Sequence, residues 1–229
     1  MRKIVIIWFF TLVWQVQAQT GDFNKVDFDA VDKIALSLKG EGLNNLPLLA
    51  HNLTNKFETD VERFRAIYVW VSQNIQNDYY LMLKNDRKRR KFKNDSLLLN
   101  NWNDTFKREV FQILLKDKRT LCTGYTYLIK ELASLAGLEC EIVDGYGKTG
   151  KTALKNMTTP NHSWNAVKLN NKWYLADATW SSGFIDGDTY LFEFNYNDAY
   201  FLMEPQQFAE EHRPIEKKWA LQTNASSIH

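Results

Sequence analysis

Three residues that could form a nucleophilic catalytic triad occur in the order Cys122, His162 and Asp177. A thiolate can attack an acyl carbon, and an imidazole can take the thiol proton and return it to the leaving group. A carboxylate on the other ring nitrogen fixes the tautomer and stabilises the imidazolium. These residue types therefore indicate thiol-mediated acyl transfer. The alternative is that Cys122 is a small core residue and that His162 and Asp177 only support packing or the surface.

The segment that begins at Cys122 is predicted to be a helix. Gly137 would end it, and its apolar residues recur at helical spacing (Leu128, Ile129, Leu132, Leu135 and Ala136). A cysteine at a helix start lies among unpaired backbone N–H groups and at the positive end of the helix dipole, which favours the thiolate. The Cys122 N–H is also the natural first donor to an oxyanion.

His162 and Asp177 are expected to meet across a β-hairpin. Ser163–Leu169 and Lys172–Ala176 alternate apolar and polar residues, and Asn170-Asn171 between them is typical of a two-residue turn. In such a hairpin, positions that sum to about 341 face each other. Ser163 should therefore face Ala178, and His162 should lie near Asp177–Thr179. Adjacent strands are about 5 Å apart, so the two side chains can touch.

Two stretches, 121–148 and 161–183, resemble the transglutaminase-like superfamily, in particular its kyphoscoliosis-peptidase branch. The shared motifs are Cys-x-Gly-Tyr, a Gly-Tyr strand, His-x-Trp-Asn and Trp-Tyr-x-x-Asp-Ala-Thr-Trp (Cys122–Tyr125, Gly145–Tyr146, His162–Asn165 and Trp173–Trp180). The resemblance implies an α+β, papain-like domain with helices packed on an antiparallel sheet and the catalytic cysteine at a helix N-terminus. It also implies that Cys122, His162 and Asp177 form the triad, in an exported bacterial member.

Other site residues follow from the same resemblance. In relatives a second oxyanion donor comes from a side chain upstream of the cysteine, and the sequence leaves three candidates open: Gln73, Asn77 and Trp102. Asn77 stands where the family has tyrosine, which affects the expected substrate contacts. Gly124 would let the backbone approach a substrate or a neighbouring strand. Trp164 and Trp180 are further candidate substrate contacts, and His212, in a closing motif of the family, is expected to be structural.

The N-terminus is predicted to be a signal peptide, residues 1–18. Arg2 and Lys3 precede an apolar run, Ile4–Val13, and Val16-Gln17-Ala18 provides a small-residue cleavage site. An uncleaved membrane anchor is the alternative, although the apolar run is short for a full span. The protein is therefore expected to be periplasmic or secreted. Residues 19–57 are predicted to be a helical extension, 58–221 the transglutaminase-like domain and 222–229 a tail.

Composition and motif searches argue against several classes of partner and cofactor. The 229 residues carry a formal net charge of +2, which argues against a nucleic-acid partner. Neither a Gly-rich phosphate loop nor the sequence spacing of a metal site is present, so no cofactor or metal is expected. Cys122 and Cys140 would lie at opposite ends of the predicted helix, roughly 20 Å apart, which is too far for a disulfide. Two free thiols are predicted, with Cys140 structural.

The segment Lys84–Lys93 holds seven basic residues in ten. It is interpreted as a solvated, mobile loop, with a helix at Asp104–Lys116 and a polar loop at Asp117–Thr120 after it. The functional alternative is attraction to an anionic polymer or an anionic membrane surface. Three hypotheses therefore stand: a cysteine peptidase or transglutaminase-like enzyme acting on a protein or peptide, a non-catalytic binding or scaffolding module, and a surface-associating protein.

Overall fold

The computed structural model describes residues 20–148 and 153–222. The predicted signal peptide and most of the predicted tail lie outside the described residues. The helices are α1 (Asp29–Ser37), α2 (Leu46–Thr54), α3 (Asp60–Asn74), α4 (Tyr79–Phe92), α5 (Ser96–Asp117), α6 (Cys122–Leu135), α7 (Ala178–Ser182) and α8 (Pro205–Glu211). The strands are β1 (Gln76–Asn77), β2 (Arg119–Thr120), β3 (Glu139–Gly147), β4 (His162–Leu169), β5 (Lys172–Ala176), β6 (Gly183–Ile185), β7 (Phe192–Phe194) and β8 (His212–Pro214).

The centre of the molecule is a four-stranded antiparallel sheet in the order β5-β4-β3-β8. Helix α6 packs on β3 and β4, and α2 and α3 pack on α6. The predicted α+β class, with helices on an antiparallel sheet and the cysteine at a helix start, is confirmed. Within the described residues, no helix is both long enough and apolar enough to cross a membrane.

The β4–β5 hairpin has the predicted turn. Asn170 and Asn171 both have positive φ, 49° and 65°, as a two-residue turn of this kind requires. Leu169 pairs with Lys172, and the ladder continues as far as Asn165 and Ala176. It stops there because Asp177 caps α7, so the pairing predicted between Ser163 and Ala178 is wrong.

The N-terminal helices belong to the same hydrophobic core as the sheet. Val31 in α1 and Leu49 and Leu53 in α2 are buried in one cluster with residues of α3, α6 and β4. Helix α3 begins with the predicted capping box, in which Thr59 and Glu62 each accept from the other's backbone N–H. The boundary placed between residues 57 and 58 stays a prediction.

The basic segment is helical, so the prediction of a loop at Lys84–Lys93 is wrong. Asp78 caps α4 by accepting a hydrogen bond from the Leu81 N–H at 3.0 Å, and α4 packs along α5. Helix α5 also begins earlier than predicted, at Ser96, where Asp95 accepts from the Leu98 N–H at 3.0 Å. The predicted loop before Cys122 contains β2, which pairs in parallel with β1.

Both cysteines are free, as predicted. Cys140 is buried in β3, 5% exposed, and its sulfur lies 3.6 Å from the Asn165 side-chain nitrogen. Burial raises the pKa of the Cys140 thiol to about 12, and the Asn165 contact offsets this only in part. Cys140 is therefore an unreactive core residue.

Candidate active site

Cys122 is the first residue of α6 and is partly exposed. Its position is set by β2, which ends at Thr120, and by Gly124, one turn into the helix. A Cβ on Gly124 would lie 1.8 Å from Thr120 Oγ1. Of the two roles predicted for Gly124, the structure shows the approach to a neighbouring strand, because only a glycine lets α6 begin this close to β2.

His162 is the first residue of β4, and its side chain is only 7% exposed. Its Nε2 lies 2.6 Å from Asp177 Oδ2, so the hairpin brings these two residues together as expected. Cys122 also interacts with His162, and this interaction contributes to the raised pKa of the imidazole. Because Nε2 is engaged by the carboxylate, Nδ1 is the ring nitrogen left for the thiol.

Asp177 is fully buried and receives four hydrogen bonds. Its Oδ1 accepts from the backbone N–H groups of Thr179 at 2.9 Å and Trp180 at 3.2 Å, since Asp177 is the N-cap of α7. Its Oδ2 accepts from His162 and from His212, the latter at 3.0 Å. Every lone-pair direction of the carboxylate is used, which fixes its orientation.

The charges of these groups depend on one another. Burial opposes charge on His162, but attraction to Asp177 and the hydrogen bond that His162 donates to it outweigh burial and raise the pKa of the imidazole to about 10. Burial alone would raise the pKa of Cys122, but its interaction with His162 and the positive charge of that residue lower the pKa below its ordinary value. Burial opposes ionisation of Asp177 as well, and the two histidines hold its pKa well below the usual range. The arrangement favours a thiolate–imidazolium pair.

His212 is the site residue that the sequence interpretation did not assign to the site. It begins β8, and its ring is stacked on Phe208 at a centroid distance of 3.8 Å. Burial lowers the pKa of His212, and its neutral Nε2–H form can donate to Asp177. It follows Asp177 by 35 residues. The only sequence signal was its place in the closing motif, and no local pattern connects it with Asp177.

The two candidate tryptophans occupy different environments. Trp180 is partly exposed and stacks on His162 at a centroid distance of 4.8 Å and an interplanar angle of 17°. Trp164 is completely buried and packs against Phe208 and His212. Trp180 can therefore border a substrate, whereas Trp164 supports the histidines from inside the core.

The three candidates for the second oxyanion donor are also separated by the structure. Trp102 donates its ring N–H to Asn85 Oδ1 at 3.0 Å, so that donor is already used between α5 and α4. Asn77 is in β1 and pairs with Thr120, two residues before Cys122. Gln73 is in α3, partly exposed and within the turn that leads to β1. Asn77 and Gln73 remain the candidates with a free amide among the described contacts.

His162, Asp177 and His212 form the cluster in the described part of the chain whose side chains could hold a metal ion. Around tetrahedral zinc, with bonds of about 2.0–2.1 Å, neighbouring ligand atoms are about 3.3 Å apart. The observed separations of 2.6 and 3.0 Å to one carboxylate oxygen are hydrogen-bond distances. The cluster is thus a hydrogen-bonded network, which sequence spacing alone could not reveal.

Comparison with known proteins gives consistent matches. A family model described as the transglutaminase-like superfamily matches residues 48–178. The chain is 34% identical over 204 residues to Kyphoscoliosis peptidase of Homo sapiens, covering 87% of this chain and 26% of that protein. It is 25% identical over 209 residues to Hillarin of Drosophila melanogaster, covering 86% and 23%. A crystal structure of a TGase matches 75% of this chain and 36% of its own, at 16% identity and a TM-score of 0.38. The chain spans about a quarter of the length of these two relatives.

Proposed function

The chain belongs to the transglutaminase-like superfamily, and we propose that it performs thiol-dependent acyl transfer on amide bonds of a protein or peptide. Cys122 is the nucleophile, His162 the base and then the acid, and Asp177 the group that orients His162. One observation carries the proposal. His162, which lowers the pKa of the helix-start Cys122, places its Nε2 2.6 Å from the buried carboxylate of Asp177.

The reaction follows from these positions. The Cys122 thiolate attacks the amide carbonyl carbon, and the carbonyl oxygen becomes an oxyanion that the Cys122 N–H can stabilise. His162 donates its proton to the leaving nitrogen, the C–N bond breaks, and an acyl thioester remains on Cys122. A water or an amine, deprotonated by His162, then attacks the thioester and releases the thiolate. Water gives hydrolysis and an amine gives transamidation.

We favour hydrolysis. The human relative is named a peptidase. Outside the cell, water is the abundant acceptor for the acyl group and peptides are available as substrates. The apolar run and cleavage site in residues 1–18 support export, so the proposed setting is the periplasm or the medium of a bacterial cell. Transamidation is the alternative outcome of the same acyl-enzyme.

The test is digestion of a peptide library by the purified protein, beside its Cys122→Ala and Cys140→Ala variants. New N-termini should appear with the wild type and with Cys140→Ala, and should be absent with Cys122→Ala. Adding an amine donor would show transamidation as new peptide–amine products. Identical products from Cys122→Ala would contradict the proposal. Peptides that are bound but never cleaved or joined would support the non-catalytic binding module instead.

A further inference from the structure

The hairpin of α4 and α5 extends away from the core. In α4 only Leu81 is buried, and the buried residues of α5 begin at its middle, with Phe106, Val110 and Leu114. Helix α5 has 22 residues and is about 33 Å long, and the roughly 15 Å before Phe106 contain no buried residue. We name residues 84–101 of this hairpin the basic arm.

The basic arm carries positive charge on all sides of α4. Six cations occur between Asp86 and Asp95, and no acidic residue lies among them (Arg87, Lys88, Arg89, Arg90, Lys91 and Lys93). At 100° per residue, these positions surround the helix rather than forming one stripe. Among the described residues, Lys84 pairs with Glu109, whereas these six cations have no ion pair. Their charge is therefore available to a partner.

The end of the basic arm is apolar. Leu97 is 69% exposed and Leu98 is 46% exposed, and both lie in the first turn of α5, directly after the cations. Exposed leucines beside uncompensated cations are typical of elements that lie on a membrane surface. The cations attract anionic headgroups while the leucines enter the boundary with the acyl chains.

We infer that the basic arm docks this protein on an anionic lipid bilayer. Charge complementarity selects an anionic partner, and the leucines at the end of the arm favour a lipid surface over an acidic protein. Cations on every side of α4 also suit mobile headgroups, which rearrange around the helix, better than one fixed acidic epitope. This inference does not depend on catalysis.

Co-sedimentation with vesicles tests it, using phosphatidylcholine alone and phosphatidylcholine mixed with phosphatidylserine. The wild type should bind only the mixed vesicles, and binding should fall steeply between low and physiological salt. Replacing Arg87, Arg89, Arg90 and Lys93 with glutamine should reduce binding at least about tenfold. Leu97→Ser with Leu98→Ser should reduce the binding that persists at higher salt. The controls, Leu115→Ser and Lys217→Gln with Lys218→Gln, should bind like the wild type.

Three outcomes would overturn the inference. Equal binding to both kinds of vesicle, or wild-type binding by the glutamine variant, would remove the electrostatic basis. Binding to soluble polyglutamate as tight as to vesicles, and unaffected by the leucine changes, would identify an acidic polymer rather than lipid as the occupant.

A second and independent observation concerns the site, where two histidines share one carboxylate oxygen. We propose that His212 is a positioning residue that holds Asp177 in place for His162, a role that rests on the proposed function. The His212 ring lies between Phe208 and Trp180, at centroid distances of 3.8 and 4.2 Å. Its backbone pairs with Gly147 in β3, which pairs with β4, the strand of His162.

The charge state of His212 suits this role. Asp177 and His162 are the titratable groups that face it, and Tyr200 nearby donates its hydroxyl proton to Glu211. Burial and the positive His162 keep His212 neutral, so it supplies one donor and no second charge. Its Nδ1 lies 3.2 Å from the Phe208 carbonyl oxygen. This contact and Asp177 oppose the lowering of the His212 pKa but do not reverse it.

The test compares His212→Phe, which removes the donor, with His212→Gln, which can keep one. The readout is the pH dependence of Cys122 alkylation by iodoacetamide, together with kcat and KM where turnover is measured. His212→Phe should move the thiol titration to higher pH and lower kcat with little change in KM, and His212→Gln should restore both in part. Cys140→Ala is the control for a purely structural loss and should shift neither.

A wild-type titration in folded His212→Phe would overturn the positioning role, and so would a His212→Gln variant no better than His212→Phe. The alkylation profile does not require turnover. If the protein proved not to be an enzyme, the shift in the Cys122 titration would still show whether His212 acts on Cys122 through Asp177 and His162. Failure of the proposed function is therefore distinguishable from failure of the positioning role.

Discussion

The two cysteines show how burial and hydrogen bonding compete at single residues. Both sulfurs lose solvent, and burial acts on both to raise the thiol pKa. Cys140 has the weak donor of Asn165 and the charge of Lys130, which do not offset burial, so its pKa stays high. Cys122 has a cationic histidine beside it and the helix dipole behind it, so its pKa falls. Cys122 is thus the candidate nucleophile, and Cys140 is an unreactive cysteine in the same chain that serves as its control.

Asp177→Asn tests the carboxylate. The change keeps the size of the side chain but removes the charge that raises the pKa of His162. An amide also has only one oxygen, so it cannot accept both from the histidines and from the N–H groups of Thr179 and Trp180. Turnover should fall by about two to four orders of magnitude, less than the complete loss in Cys122→Ala. Steady-state kinetics would measure it. Unchanged kcat in Asp177→Asn would show that Asp177 does not orient His162.

Cys140→Ala tests the structural cysteine. Removing a small buried group should lower the free energy of unfolding by about 1–2 kcal/mol. Activity and the reactivity of Cys122 should be unchanged, because Cys140 contacts Asn165 and not the triad. Urea unfolding measures the first quantity and alkylation the second. Loss of Cys122 reactivity in a folded Cys140→Ala protein would mean that the two thiols are coupled.

At the scale of elements, the turn chemistry explains why part of the site could be predicted. Asn170 and Asn171 fix the register of β4 against β5, and a fixed register places the residues at the strand ends together. The meeting of His162 and Asp177 therefore followed from the sequence. Where Asp177 turned to cap α7, local hydrogen bonding ended the ladder two residues earlier than strand alternation suggested.

Helix α4 shows the opposite case. Its sequence has no apolar stripe, since its one buried residue is Leu81, so hydrophobic periodicity gave no signal of a helix. The helix is stabilised by the Asp78 cap and by tertiary contacts with α5, such as the Lys84–Glu109 pair and the hydrogen bond from Trp102 to Asn85. The Asp78 cap is local, but the two contacts with α5 join residues 17 and 25 positions apart, so they are not visible in a local window of sequence.

Gly124→Ala tests how β2 sets the start of α6. The new methyl group would meet Thr120 Oγ1 at 1.8 Å and Thr120 Cβ at 2.7 Å, so α6 and β2 must move apart. We expect a loss of about 1–3 kcal/mol in the free energy of unfolding, and slower alkylation of Cys122. Thr120→Ala in the same protein should recover part of both losses. A neutral Gly124→Ala, or a double variant with purely additive losses, would contradict this packing.

At the scale of the whole molecule, the residues of the site come from distant parts of the chain. Cys122 comes from α6, His162 and Asp177 from the two ends of a hairpin, and His212 from the C-terminal strand. His212 reaches Asp177 only because β8 joins the sheet beside β3. Long-range pairing of this kind has no local signature, which is why the sequence identified three residues of the network and not the fourth.

The residues before 58 contribute to the principal hydrophobic core. Val31, Leu43, Leu49 and Leu53 are all at most 4% exposed within the principal core. Burial of each contributes about 2 kcal/mol, so their sum is comparable with the total stability of an ordinary domain. Arg65 of α3, buried, also pairs with Asp32 of α1 at 2.7 Å and with Asp198.

Deleting residues 1–57 should therefore leave a protein that does not fold. Deleting only residues 1–18 should leave folding intact, which makes it the matched control. Circular dichroism and thermal unfolding compare the two proteins. A cooperatively folded 58–229 fragment would show that residues 19–57 are a dispensable extension.

The central claim is that Cys122 and His162 form a thiolate–imidazolium pair. The most direct test is the pH dependence of alkylation, with the modified cysteine located by peptide mass. The pair exists above the lowered thiol pKa and below the raised imidazole pKa, so alkylation of Cys122 should already be fast at pH values under about 7. In His162→Ala the titration should move up toward a free thiol, and Cys140 should stay unmodified in both proteins. A Cys122 titration near 8.5 in the folded wild type, the value of an ordinary thiol, would contradict the account.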